Sequence, residues 1–136
     1  MDITRADRGG VEPGPDDWFA GEVEMEELAP ARESGGVQLM KVHFAPGSRT
    51  AWHSHPAGQL LHVTAGFGLV QSVGGPAAGI GSGDTVWAGP GECHWHGATA
   101  EHALTHLAIQ QPGTTWEEHV SDEDYAAAAA TAMSGE

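Results

Sequence analysis

Basic residues are scarce in this chain of 136 residues, which carries five lysines and arginines against 19 acidic residues. The formal net charge is −14 at pH 7. Nucleic acids and anionic membranes bind proteins through clustered basic side chains, so neither is expected as a partner. Cys93 is the only cysteine, which excludes an internal disulfide and agrees with a reducing compartment.

Long apolar runs are also missing. No run approaches the roughly 20 residues of a transmembrane helix, and residues 1–10 are polar, without the apolar core of a secretory signal. We therefore expect a cytoplasmic protein with no membrane partner. The length allows one domain, in which 20 glycines and eight prolines separate short apolar runs. That pattern predicts an all-β chain rich in turns.

Two glycine-bounded stretches each carry a pair of histidines separated by one residue. In an extended strand, residues i and i+2 project from the same face, so His53 and His55 can direct both imidazoles at one point. A Pro-Ala-Gly turn at 56–58 then returns the chain at Gln59, and the second stretch contributes His94. Imidazole suits zinc, copper, iron and nickel, whereas an amide oxygen is a harder ligand, closer to what manganese accepts. We predict a metal centre made of His53, His55, Gln59 and His94.

The run 103–110 predicts a further strand, whose alternation puts His106 and Gln110 on an otherwise small, apolar face. Polar side chains on such a face must be satisfied inside the protein or contact a substrate. His96 shares a face with His94, and two interpretations explain it equally well: an acid or base in the pocket, or a structural hydrogen bond. The remaining histidines are expected at the surface or in packing: His43, His62, His102 and His119.

Three segments are predicted along the chain. Residues 1–17 lack periodicity and form an N-terminal arm, 18–120 form a β-barrel, and 121–136 form a C-terminal helix and tail. The last strand of the barrel is expected at 116–120. Ser121 and the acidic residues that follow it favour the start of a helix ahead of an alanine run.

Trp52 and Trp95 stand next to the paired histidines and therefore point to the opposite face. Large aromatic side chains outside a barrel are usually buried, so we expect the arm or a second subunit to cover them. This predicts a homodimer or a higher homo-oligomer. Cys93 has the same outward parity as Trp95 and is expected to be a small buried residue rather than a nucleophile.

Both histidine stretches resemble the two motifs of the cupin family, whose fold is a double-stranded β-helix, a jelly-roll-like barrel. The first motif has the spacing of Gly47, His53, His55, Gln59 and Gly66. The second is matched by Gly83, Gly91 and His94, with Gly89 in place of its first proline. Gln59 stands where most cupins carry a glutamate. Together with the runs 94–97 and 105–110, it resembles the small bacterial cupins of the manganese-dependent hydroxynitrile lyase type, a similarity that spans nearly the whole chain.

This resemblance implies a lyase that cleaves a small-molecule cyanohydrin to an aldehyde and cyanide, or forms it from them. His106 matches the histidine that serves those lyases as the base. His96, Gln110 and Thr50 are expected to hydrogen-bond the cyanide or the substrate oxygen.

The metal and the reaction class follow from the same resemblance. Met40 and Val42 match positions that line the pocket of the lyases. The neutral Gln59 leaves the full divalent charge uncompensated, which makes the ion a stronger Lewis acid. We expect Mn²⁺, with Fe²⁺, Ni²⁺ and Zn²⁺ as alternatives. An iron-dependent cupin dioxygenase and a non-catalytic cupin that binds a small metabolite remain the alternative functions.

Overall fold

The computed structural model describes residues 1–6, 10–33 and 35–134, and across them it has twelve β-strands and one α-helix. The strands are β1 (Glu12–Pro13), β2 (Phe19–Ala20), β3 (Val23–Ala29), β4 (Gln38–Phe44), β5 (Arg49–Thr50), β6 (His53–Ser54), β7 (Gln59–Ser72), β8 (Ala78–Gly81), β9 (Thr85–Ala88), β10 (His94–Ala98), β11 (Leu104–Gln110) and β12 (Thr115–Trp116). The helix α1 spans Asp122–Ser134. The prediction of an all-β chain with a short C-terminal helix is confirmed.

The strands form one curled antiparallel sheet in the order β1-β3-β4-β11-β7-β10-β5-β2. The 14-residue strand β7 belongs to both halves of it. Its first half pairs with β9 and β11, and its second half pairs with β8 and β10. The register between β7 and β11 shifts between Thr105 and His106. Such a bulge bends a strand and increases its twist, which lets β7 pass from one half of the sheet to the other.

Alternation along β11 divides the interior of the barrel into an apolar end and a polar end. Leu104, His106, Ala108 and Gln110 are all buried, whereas the residues between them are half-buried. Leu104 joins an apolar cluster with Phe44, Val63 and neighbouring residues. His106 and Gln110 lie farther along the same face, so the strand that anchors the core also places polar groups inside the barrel.

The chain passes very close to itself at Gly66, the second glycine of the first motif. Gly66 has a positive φ of +87°, and a Cβ atom added there would lie 1.9 Å from the carbonyl oxygen of Ala103. Only glycine accommodates both the left-handed backbone and this contact. The glycine is therefore needed for the approach of β7 to the start of β11.

The helix α1 packs on the outer face of the barrel. The Ser121 hydroxyl accepts a hydrogen bond from the Asp124 amide at 3.0 Å, which caps the N-terminus as predicted. Tyr125, Ala128, Ala129 and Ala132 of the helix belong to one apolar cluster with Trp95, which is fully buried. Among the residues described, no helix is long and apolar enough to cross a membrane.

Arg49 on β5 ties the start of α1 to the barrel. Its guanidinium donates to the carbonyl oxygen of Val120 and to the carboxylate of Asp122, both at 2.8 Å, and lies 4.6 Å from the centre of the Tyr125 ring. The buried Arg49 side chain therefore contacts the loop before α1 at Val120, the first residue of α1 at Asp122, and the ring of Tyr125 within α1.

Three expectations differ from the structure. Trp95 is covered by α1, so the prediction that the arm or a second subunit covers it is wrong. The strand expected at 116–120 is limited to Thr115–Trp116, because the chain turns toward α1 immediately afterwards. Cys93 is half-buried rather than fully buried; it lies just before β10 and is not part of the cluster that α1 forms with Trp95.

Candidate metal centre

The four side chains predicted as metal ligands come together at the polar end of the barrel. His53 on β6 and His94 on β10 are register partners, and their ring centres are 4.4 Å apart. His55, just after β6, lies 5.0 Å from His53 and 5.8 Å from His94 by the same measure. Gln59 begins β7 and places its Oε1 2.9 Å from His94 Nε2. All four side chains are buried.

Hydrogen bonds on the far side of the rings fix the tautomers of His53 and His94. His53 Nδ1 lies 2.9 Å from the carbonyl oxygen of Ala51, and His94 Nδ1 lies 2.8 Å from that of Glu92. A carbonyl oxygen only accepts, so each Nδ1 carries the proton and each Nε2 keeps a lone pair. His55 contacts the Thr114 hydroxyl through Nδ1, and among the described residues its buried Nε2 has no partner. When Nδ1 donates to this hydroxyl, which can also accept, His55 offers a third imidazole lone pair on Nε2.

The amide of Gln59 is oriented in the same sense. Its Nε2 donates to Gln110 Oε1 at 3.0 Å, which leaves Oε1 facing His94 Nε2. Two atoms that only accept hydrogen bonds are therefore held 2.9 Å apart with no proton between them. A divalent cation is the species that satisfies both atoms and the unpartnered His55 Nε2 at once, so the donor set fits a metal ion.

Burial keeps these imidazoles uncharged. It lowers the pKa of His53 to about 3 and that of His55 to about 4, and the neighbouring His94 adds to both shifts. Burial also lowers the pKa of His94. Neutral imidazole is the form that binds metals, so the site is ready to bind an ion at neutral pH.

A second buried pair of histidines adjoins the first group. His106 Nε2 lies 3.0 Å from His96 Nδ1, whereas His96 Nε2 and His106 Nδ1 have no partner in the part of the chain that the structure describes. Burial is the largest cause that lowers the pKa of His106 to about 4 and that of His96 well below its usual value. Both rings are neutral, so a single proton lies between them. Either His106 donates it and keeps a lone pair on Nδ1, or His96 donates it and keeps a lone pair on Nε2.

This proton decides between two possible ligand sets. Ligand atoms of His53, His94 and His96 lie within 4.8 Å of one another, so among the histidines this group contains His96 in place of the predicted His55. Ligation by His96 requires the lone pair on its Nε2, since Nδ1 is engaged with His106. His106 would then carry its proton on Nδ1 and have no base to offer the pocket. The predicted set leaves His106 free to be a base.

A cavity of about 650 Å³ opens beside these residues. Its walls include Met40 and Val42, as the sequence predicted, and also Thr50, whose hydroxyl accepts a hydrogen bond from the His96 amide at 3.2 Å. Trp18 and Trp116 stack at 5.1 Å in the same wall, and the Trp116 ring lies 4.7 Å from His53. The sequence did not indicate this aromatic stack, because it joins two distant segments and alternation does not relate them.

The other histidines and one further glutamine complete the comparison with the sequence. His43, His62, His102 and His119 are exposed, as predicted. Gln38, which was not predicted to take part in the site, lines the cavity and accepts a hydrogen bond from Gln110. Its even spacing from Met40 on β4 was the available signal, since both residues share the inward face.

A comparison with known families identifies the class of protein. The cupin domain family matches residues 40–110, which contain every predicted metal ligand. The chain belongs to the cupin family. The histidine cluster and the family together imply a divalent metal.

Comparison with individual proteins shows which cupins this chain is similar to. The chain is 48% identical over 129 residues to a protein of Granulicella tundricola named (R)-mandelonitrile lyase, and the match covers 92% of this chain and 98% of that protein. A cupin-like protein of Thermotoga maritima has a similar structure, with a TM-score of 0.82 and 39% identity over 85% of this chain and 91% of the other. A predicted oxalate decarboxylase of the same organism aligns with a TM-score of 0.70 and 23% identity, covering 79% and 96% of the two chains, and shows the fold alone.

Proposed function

We propose that this cupin is a metal-dependent lyase that cleaves or forms cyanohydrins such as mandelonitrile. One observation carries the proposal. Among the described residues, Nδ1 of the buried His106 has no partner, and His106 lines a cavity together with His53, His55 and Gln59. The 48% identity to a mandelonitrile lyase over nearly the full length of both chains supports the choice of substrate.

We propose His53, His55, Gln59 and His94 as the residues that hold the metal, with manganese as the resident ion. All four are uncharged, and one donor is an amide oxygen, which suits a hard ion better than a site made of imidazoles alone. A divalent ion held there would supply Lewis acidity beside the substrate hydroxyl.

His106 acts as the base in the proposed reaction. When its Nε2–H donates to His96, its Nδ1 lone pair accepts the hydroxyl proton of the cyanohydrin. The carbon–carbon bond breaks as the carbonyl forms, and its electron pair leaves with the cyanide. The proton held by His106 then passes to the cyanide, so that the products are an aldehyde and hydrogen cyanide. Because burial keeps His106 neutral, the base is in its accepting form at neutral pH.

Three further side chains position the reacting groups. In the tautomer that makes His106 a base, His96 Nε2 carries a proton and donates to the substrate oxygen or to the departing cyanide. The Thr50 hydroxyl and the Gln110 amide lie in the same cavity wall and serve the same purpose. No carboxylate is required, which agrees with a pocket built around neutral groups.

The test is cleavage of mandelonitrile by metal-free protein reloaded with single metals. We expect Mn²⁺ to restore activity best and His106→Ala to reduce turnover by about 100-fold or more, the usual contribution of a general base, while its metal content stays at the wild-type level. His62→Ala, on the outer face, is the matched control and should retain activity. Turnover by His106→Ala at the wild-type rate would remove His106 from the mechanism.

The group formed by His53, His94 and His96 supports a second candidate, an iron-dependent dioxygenase. In this arrangement three imidazoles would hold the ion, and His106 carries its proton on Nδ1, so it has no lone pair for a substrate proton. This reading predicts stoichiometric iron, oxygen consumption with an organic substrate and no mandelonitrile cleavage with any metal. Oxygen uptake measurements on the iron-loaded protein separate the two candidates.

We also propose that the protein forms a homo-oligomer in the cytoplasm. Trp87 on β9 and Leu60 on β7 are register partners and are 59% and 39% exposed, and the half-buried Ile109 and Leu39 extend the same row across β11 and β4. An uncharged apolar row on a chain of net charge −14 is suited to a second copy of itself. Light scattering should give at least a dimer, and Trp87→Glu should give a monomer; a monomeric wild type contradicts the proposal.

A further inference from the structure

Three glutamines form a row across three adjacent strands inside the barrel. Gln110 on β11 is the register partner of both Gln59 on β7 and Gln38 on β4. Gln59 Nε2 donates to Gln110 Oε1 at 3.0 Å, Gln110 Nε2 donates to Gln38 Oε1 at 2.8 Å, and Gln38 Nε2 donates to Glu27 Oε2 at 2.8 Å. The row leads from the buried centre to an exposed carboxylate.

The carboxylate gives this chain of hydrogen bonds its direction. An ionised carboxylate only accepts, so Gln38 turns its amino group outward and its oxygen inward. That oxygen in turn accepts from the amino group of Gln110, whose own oxygen accepts from Gln59. The one oxygen left over at the inner end is Gln59 Oε1, which faces His94 Nε2.

Without this chain, the metal-free centre has a better arrangement available. Turning the Gln59 amide over would direct Nε2–H at the lone pair of His94 Nε2, 2.9 Å away. The mismatch between two acceptors would become an ordinary hydrogen bond, and the oxygen would face away from the centre. A metal ion would then have to break that bond and turn the amide back before it could bind.

We propose that Gln38 and Gln110, anchored by Glu27, are positioning residues that hold Gln59 Oε1 toward the histidines and thereby raise the affinity of the centre for a divalent cation. This inference rests on the metal centre proposed above. Glu27 itself is exposed, so the direction of the hydrogen bonds matters more than its charge. Residues that orient a ligand from behind typically change metal affinity by about 10- to 100-fold.

Substitutions of Gln38 test the direction directly, because this side chain is only half-buried. In Gln38→Glu the bond to Glu27 is lost and the exposed Glu27 carboxylate is repelled toward solvent, but the new carboxylate still accepts from Gln110. Affinity for Mn²⁺ should therefore stay within about threefold of wild type. In Gln38→Met there is no acceptor, and we expect a loss of about tenfold. In Gln38→Lys a donor faces Gln110 and favours the reversed chain, so the loss should approach about 100-fold.

Binding of Mn²⁺ alone to the metal-free, full-length proteins is measured by equilibrium dialysis in about 0.5 M salt, where interactions between distant exposed charges are screened. The matched control for charge is Gln111→Lys, the same substitution at the next residue after Gln110, a half-buried glutamine whose side chain donates to the carbonyl oxygen of Gly35. Thermal unfolding verifies that each variant is folded. Gln110→Glu and Gln110→Met repeat the comparison one strand closer to the centre and should show the same order.

The expected result is that affinity for Mn²⁺ decreases in the order Gln38→Glu, Gln38→Met, Gln38→Lys. The Gln111→Lys variant should bind Mn²⁺ as tightly as the wild type. Equal affinities in wild type and in all Gln38 and Gln110 variants would overturn the role of the chain while leaving the metal centre intact. Failure of the wild type itself to bind Mn²⁺ or Zn²⁺ stoichiometrically would overturn the metal centre and this inference with it.

Discussion

Acidification should destabilise the metal-free protein through its buried histidines. The pKa of His53 falls to about 3, and those of His55 and His106 to about 4, from an ordinary value of 6.5. In the unfolded chain each imidazole takes up a proton below pH 6.5, whereas in the folded protein it does not until pH 4 or below. Between these limits the unfolded state binds more protons than the folded state. The free energy of unfolding is therefore not reduced by these groups above pH 6.5, and it decreases as the pH falls below 6.5.

The size of the effect follows from the proton linkage. Each histidine costs about 1.36 kcal/mol per pH unit below 6.5. At pH 5 this is about 2 kcal/mol per group, and about 6 kcal/mol for the three together. The whole free energy of unfolding of a domain is about 5–15 kcal/mol. The lowered pKa values of His94 and His96 act in the same direction, so the metal-free protein should be close to unfolding at pH 5.

Urea unfolding of the metal-free protein at pH 7.5 and pH 5, followed by tryptophan fluorescence, measures this difference. In His106→Gln the difference between the two pH values should shrink by about 2 kcal/mol, because one of the three groups is gone. Bound metal should protect the protein, since a ligated imidazole cannot take up a proton. Free energies of unfolding that agree within about 1 kcal/mol at the two pH values would refute the reasoning.

Three further substitutions have defined outcomes. Gly66→Ala should lower the free energy of unfolding by more than about 4 kcal/mol, since its Cβ would overlap a carbonyl oxygen. Gly74→Ala has a φ of +76° but open space around the new Cβ, so it should cost only about 1 kcal/mol. Urea denaturation compares the two variants, and equal losses of stability would contradict the overlap at Gly66. Arg49→Met leaves the Val120 carbonyl without its donor, so it should lower the free energy of unfolding by about 2 kcal/mol and with it the Tm. An unchanged Tm would show that the contacts of Arg49 with the start of α1 do not stabilise the protein. Gln59→Glu adds a negative charge to the centre, so Mn²⁺ should bind at least about tenfold more tightly while mandelonitrile turnover falls; weaker binding in dialysis would exclude position 59 as a ligand.

Much of the fold could be predicted from the sequence because period-two alternation reports directly which face a residue occupies. It placed Leu104, His106, Ala108 and Gln110 on the inner face of one strand, where the structure has them. The spacing of the glycines and histidines predicted which four side chains approach one another, and the structure brings all four together.

Alternation does not report which strands are neighbours, and the remaining features depend on that. The hydrogen bond between His96 and His106 joins β10 to β11, which are not adjacent in the order of the sheet. The contact of Gln110 with Gln38 requires the register of β11 on β4. The cover of Trp95 by α1 requires the path of the chain after β12. Each is a relation between distant segments, set by packing rather than by local pattern.

The position of α1 has a consequence for the order in which the protein is completed during synthesis. The inner face of β10 carries His94 and His96, and its outer face carries Trp95. Trp95 remains exposed to solvent on the side of α1 until the helix packs on it. The helix leaves the ribosome after every strand of the barrel, and its 13 residues need about one to three seconds to be made. The strand that bears two of the central histidines is therefore the last to be covered on its outer face. We expect metal binding to follow synthesis and packing of the helix rather than to occur while the strands are being made.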